Sequence, residues 1–185
     1  AEDDILIGTI GRLQEGKGHI EFLEMAARIA AEFAQARFII VGEATRGEEH
    51  RAEKIYRKIE QINLGQRLIL AGFRKDVPAV LAAMDIFAFP SRAEAFGLVI
   101  IEAMAAGVPV VSTRSDGVLD IVEDGVNGIL VDRQQVDQLT AAVRTCILDE
   151  NRRKELIAAG RKTIAEKFTV DRMVSETEKV YQECL

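Results

Sequence analysis

The chain is poor in the residues on which disulfide-stapled, metal-clustered and membrane-spanning proteins depend. It has no tryptophan, three prolines, two histidines and two cysteines in 185 residues. Cys146 and Cys184 lie in helix-patterned segments without the spacing of a metal or redox pair. That excludes a disulfide framework or a zinc ribbon and fits a reduced compartment. No apolar run reaches the roughly 18 residues that span a bilayer; the longest, VIIEAMAAGVPVV, is broken by Glu102, Gly107 and Pro109. Basic charge is also short, with 24 Lys and Arg against 30 Asp and Glu for a net charge of -6. A general nucleic-acid binder would present the opposite balance. The acidic opening AEDD is not the basic start of a signal peptide. The expectation is a cytoplasmic protein with no nucleic-acid partner and no direct membrane insertion. A small anionic ligand stays open, because a few local cations outweigh a distant field.

What is present is a regular alternation. Six short, almost wholly apolar runs (5–10, 37–41, 68–72, 86–90, 109–113 and 128–131) read as buried strands. Continuous rather than alternating hydrophobicity predicts a parallel sheet covered on both faces. Helix-period segments fall between them, at about 18–33, 48–62, 77–83, 97–106 and 118–122, and three more follow at 136–148, 151–167 and 170–182. The fold class is therefore α/β: a doubly wound, Rossmann-like parallel sheet in the order 3-2-1-4-5-6, with carboxyl-terminal helices, over residues 1–185 as one domain. Such a sheet takes its ligand at the carboxyl ends of the strands, near the switch point between the first and fourth.

The turn after the first run, GRLQEGKG, is one residue away from a phosphate-binding P-loop. Gly11, Gly16 and Lys17 satisfy the pattern, but Gly18 stands where a Ser or Thr would hold a magnesium ion. A dinucleotide-binding G-x-G-x-x-G is absent, and no acid ends the second strand to hold a ribose; Glu43 lies just beyond it. Arg12 and Lys17 in a glycine-rich turn beside a helix start have the makings of an anion site. A second stretch, PSRAEAFGLVIIEAMAAGVPVV, holds Glu94 in a loop and Glu102 within the following helix. Phe96, Gly97 and Leu98 offer backbone N–H groups at that helix start, where the dipole favours an anion. The helix reads as apolar all round and hence buried, so Glu102 is expected to need a partner, either a ligand hydroxyl or a structural Arg. His19 is expected on a helix surface and His50 in solvent.

These two stretches, extended through TRSDGVLDIVEDGVNGILV, resemble the carboxyl-terminal, donor-binding domain of GT-B glycosyltransferases of family 4 (glycosyl transferases group 1). The resemblance covers most of the chain, and its E-x7-E motif is specific. It implies a retaining glycosyltransferase that moves a sugar from a UDP-, GDP- or ADP-sugar to a glycan, lipid or small-molecule acceptor, with no cofactor and no metal. By the same resemblance, Arg12 and Lys17 contact the diphosphate, Glu94 the donor sugar's hydroxyls and Glu102 the ribose. Backbone at Gly11 and at Phe96, Gly97 and Leu98 reaches phosphate and sugar, and Gly42, Gly72, Phe73 and Arg74 lie by the base. Arg12, Lys17 and Glu94 are the expected catalytic residues. On that reading Gly18 reflects metal-free chemistry, since two cations and a helix pole replace the ion. The family's acceptor domain is absent from these residues, so the chain is expected to partner the acceptor half of a parent enzyme and to transfer little sugar by itself. Any membrane association would be peripheral, at the inner face, through that other half. A stand-alone nucleotide-sugar-binding or regulatory module without transfer activity is the alternative.

Overall fold

A computed structural model describes residues 4–184. Its sheet has six parallel strands: β1 (Ile5–Ile10), β2 (Ala36–Val41), β3 (Leu68–Gly72), β4 (Ile86–Phe89), β5 (Val110–Thr113) and β6 (Ile129–Val131). Their order is β3-β2-β1-β4-β5-β6, as the alternation of runs predicts. Paired registers such as Ile7↔Phe38, Ile7↔Ile86 and Phe87↔Val110 align the apolar runs, so every residue of β4 and β5 is buried. The edge strand β3 departs from expectation: Ile69 and Leu70 are each 47% exposed. Adjacent strand residues point to opposite faces, so both faces of this edge strand are partly open to water, however apolar its sequence.

The helices are α1 (His19–Glu32), α2 (Glu53–Ile62), α3 (Val77–Ala82), α4 (Leu98–Ala106), α5 (Asp116–Leu119), α6 (Val136–Leu148), α7 (Glu150–Lys167) and α8 (Val170–Glu183). The expected helix at 48–62 is divided into a 3-10 turn, Glu49–Ala52, and α2. The helix α1 buries Phe22, Leu23, Met25, Ala26, Ile29 and Ala30. That spacing makes one apolar stripe on a 3.6-residue period. It packs with α2 and α6 on one face of the sheet, whereas α4 packs with α3 and α7 in a second core. The last helix, α8, buries none of its residues; Val170, Met173, Val174, Val180 and Tyr181 are all exposed. Among the described residues no helix is long and apolar enough to cross a membrane.

A cleft where the β1 and β4 loops meet

Strands β1 and β4 are neighbours whose following loops run to helices on opposite faces, which opens a crevice at their carboxyl ends. Glycines set the loop after β1. Gly16 and Gly18 have positive φ, 93° and 76°, and a Cβ on Gly18 would lie 2.0 Å from the Pro90 carbonyl oxygen. Position 18 thus has a steric reason to be glycine: its backbone is left-handed and pressed against Pro90, which no side chain tolerates. Gly42, at φ 133°, is constrained in the same way by the Gly11 carbonyl, 2.0 Å from where its Cβ would be.

The two loops are tied to each other. The N–H of Arg92 donates to the Gly16 carbonyl at 2.7 Å, and the buried Ser91 hydroxyl lies 3.2 Å from the same oxygen and 3.0 Å from that of Ala93. Thr113 Oγ1 donates to the Ser91 carbonyl. The Arg92 guanidinium reaches back to Glu21 on α1, with Nε to Oε1 at 2.9 Å. Lys17 Nζ donates to Glu94 Oε2 at 2.7 Å, with both side chains only 20% and 17% exposed, and also lies 6.0 Å from the centre of the Phe89 ring. Glu94, expected to accept from a ligand hydroxyl, accepts here from Lys17. The guanidinium of Arg12 is exposed and makes no hydrogen bond or ion pair with any described residue.

His19, placed on a helix surface by sequence, is instead 2% exposed. Its Nε2–H donates to the Arg12 carbonyl at 2.9 Å, which leaves Nδ1 as a buried acceptor without a partner. Burial, first, and the nearby Lys17 charge hold its pKa below the usual histidine value, against the raising effects of the Arg12 carbonyl and Glu21. The ring is therefore a neutral strut under the residue that presents the Arg12 guanidinium. His50 is exposed, as expected.

On the other side, α4 begins at Leu98 behind Gly97, whose φ is 96°, with no side-chain cap. No described residue accepts from the N–H of Phe96, Gly97 or Leu98. The carbonyl of Glu94 takes the N–H of Gly117 at 2.9 Å, and a Cβ on Gly117 would lie 2.3 Å from the Ala95 oxygen, so this glycine lets α5 close against the loop. A cleft of about 370 Å³ is lined by Gly11, Arg12, Lys17, Glu94, Phe96, Gly97 and Leu98. It shares Ile10, Gly11 and Arg12 with a second, of about 380 Å³, lined by Gly42, Glu43, Thr45, Phe73 and Arg74. There Phe73 is 63% exposed, and Arg74 is engaged by Asp76 through two bonds of 2.8 and 2.6 Å, an ion pair that lowers the aspartate's pKa. Gly72 joins this region through its carbonyl, which accepts from Gly42 N–H at 2.8 Å.

Glu102 does not fit its expectation. Leu98, Glu102 and Ala105 form an exposed stripe on α4, with Leu98 66% exposed. An apolar sequence all round did not bury the helix all round, because only its opposite side meets the sheet and α7. The carboxylate is solvated, needs no partner, and does not line either cleft. Sequence reading also missed the ties made by Ser91, Arg92, Glu21 and Thr113; Arg92 and Glu21 are 71 residues apart, and no local pattern links them.

Residues 1–163 match the family model for glycosyl transferases group 1. The chain belongs to that family. Among curated relatives it is 30% identical over 167 residues to the lipopolysaccharide core biosynthesis glycosyltransferase LpsE of Rhizobium meliloti, covering 90% of this chain and 46% of that protein. It is 28% identical to the capsular polysaccharide biosynthesis glycosyltransferase CapM of Staphylococcus aureus, over 97% and 46% of the two chains. It thus spans about half the length of these relatives. Among solved structures, HepE of Anabaena in complex with UDP and glucose superposes with a TM-score of 0.91 at 29% identity, over 97% of this chain and 48% of that one. The carboxyl-terminal domain of the group 1 protein LpcC from Francisella tularensis gives a TM-score of 0.82 at 28% identity, over 90% and 87%.

Proposed function

We propose that the cleft holds a nucleoside-diphosphate sugar and that this chain is the donor-binding half of a retaining, metal-independent glycosyltransferase. The observation that carries the reading is the meeting of Arg12, Lys17 and the unbonded amides of Phe96 to Leu98 in one cleft at the switch point of the sheet. Two cations and a helix's positive end suit a diphosphate. The likeness to HepE, a protein crystallised with UDP-glucose, supports the same class of ligand. The match to most of LpcC's solved carboxyl-terminal domain supports treating the chain as a donor-binding unit.

The bond from the sugar's anomeric carbon to the phosphate oxygen breaks during transfer, and negative charge grows on the departing diphosphate. Arg12, Lys17 and the start of α4 stabilise that charge where it develops. The acceptor hydroxyl attacks from the same face, and the leaving phosphate takes its proton. Glu94 orients the sugar through its hydroxyls; Glu102 lines neither cleft but lies one turn beyond the cleft residue Leu98 on the exposed stripe of α4, and from there it receives the ribose. The second cleft, with Gly42, Gly72, Phe73 and Arg74, takes the base. The two acids do not form a glycosidase pair, since one is in a loop beside Lys17 and the other is in solvent.

Calorimetric titration with UDP, GDP and ADP, with and without EDTA, tests the reading. One of the three is expected to bind equally well in both conditions. Arg12→Ala or Lys17→Ala is expected to weaken it by about 1.5–3 kcal/mol, the size of a charge-assisted hydrogen bond. Unchanged affinity in both variants, or binding abolished by EDTA, would refute the assignment.

A further inference from the structure

The pairing of Lys17 with Glu94 has a consequence for which ligand the cleft prefers. One of the cleft's two cations is already neutralised by a carboxylate 2.7 Å away. Among the described residues Lys17 is the sole partner of that carboxylate, which is only 17% exposed. Resting on the donor reading above, we infer that Glu94 is a specificity-determining residue that makes the cleft favour the intact nucleotide sugar over the free nucleoside diphosphate. Glu94 does so by competing with phosphate for Lys17.

A diphosphate draws Lys17 away and leaves Glu94 poorly hydrated, without a donor and beside new negative charge. Both effects are unfavourable. An attached sugar carries hydroxyl donors that satisfy the carboxylate, so only the intact donor escapes the penalty. Once the sugar has gone to the acceptor, the hydroxyls go with it. Glu94 then reclaims Lys17 and loosens the spent diphosphate, a useful property where product release limits turnover.

The test compares inorganic pyrophosphate, the nucleoside diphosphate that binds wild type, and its glucose conjugate on four forms of the chain, by calorimetry in EDTA. The forms are wild type, Glu94→Gln, Lys17→Met and the double variant. Glu94→Gln is expected to tighten both sugar-free ligands by roughly three- to tenfold, as release of a partly buried ion pair permits. It should also narrow the preference for the glucose conjugate. In the Lys17→Met background the same substitution should give a smaller gain, because only the direct repulsion between carboxylate and phosphate is then relieved. Glu94→Ala should reproduce the gain, which covers the case of a misfolded glutamine variant. Unchanged or weaker pyrophosphate and nucleoside diphosphate binding in both Glu94 variants would overturn the inference, as would a full gain without Lys17. If wild type binds a nucleoside diphosphate through Arg12 and Lys17 yet Glu94 variants gain nothing, the inference alone fails. If folded wild type binds none of the nucleotides, the donor reading fails with it.

Discussion

The loop after β1 and the loop after β4 face each other across the cleft, yet they are held by different means. The first is fixed mainly by close backbone approach to other segments: Gly18 pressed on Pro90 of the β4 loop and Gly11 on Gly42 after β2, with a neutral His19 under the Arg12 carbonyl. The second is fixed by neighbours, with Ser91, Thr113 and Gly117 anchoring its turns while Phe96 and Leu98 stay exposed. A rigid backbone suits the side that presents fixed cations, because preorganised charge costs nothing to reorient when the ligand's charge develops. A loop held from outside keeps its amides open for a ligand. Steric restraint dominates the first loop and hydrogen bonds the second, and substitutions on the two sides separate the two.

The largest effect is expected at Gly18. Gly18→Ser would complete the P-loop pattern in sequence, but it places a side chain at positive φ against a backbone carbonyl. A loss of about 3 kcal/mol or more in unfolding free energy should appear in denaturant titration. Near-wild-type stability would mean that the β1 loop is less constrained than its glycines imply. Gly117→Ala comes next. Its obstacle is the Ala95 carbonyl without any positive φ, so about 1–3 kcal/mol is expected, together with weaker diphosphate binding as the Glu94 loop is pushed outward. A cost equal to that of Gly18→Ser would erase the distinction between the loops.

His19 sharpens the comparison through pH. Its folded-state pKa is depressed, so the unfolded chain binds the extra proton first as pH falls. Stability contributed by the neutral ring is therefore full above about pH 6.5. It declines as pH drops through that unfolded value and levels off below the folded one. Urea midpoints measured from about pH 8 to pH 5 should fall more steeply for wild type than for His19→Gln, which retains a donor without titrating. Equal slopes would show that the folded state does not require an uncharged ring. The smallest effect is expected on the solvent side of α4, where Glu102→Ala should alter stability by no more than about 0.5 kcal/mol. On the donor reading, the same change weakens nucleoside binding while sparing pyrophosphate; equal losses for both would remove Glu102 from the ribose.

Much of the architecture was legible because its signals are local. Apolar runs separated by helix-period segments identify a parallel sheet, and the glycines of GRLQEGKG mark the turn where backbone must approach something closely. The errors share one cause. Glu102 was expected to be buried because every neighbour in sequence is apolar, whereas exposure depends on which side of α4 meets another layer. His19 reads as a helix-surface residue, whereas its ring turns inward beneath the Arg12 loop. The Ile69 and Leu70 pair reads as core but lies on an edge strand.

By itself, then, the amino-acid sequence determined the order of strands and helices, the two loops that bear charge and the family to which the chain belongs. These follow from periodicity and from short motifs whose residues are close along the chain. Tertiary structure decided that Lys17 and Glu94, 77 residues apart, neutralise each other while Arg12 stays unpaired, and that Gly18 is pressed against Pro90. Ion pairs and backbone contacts form between segments that only the packed sheet brings within a few ångströms, and no local pattern records them.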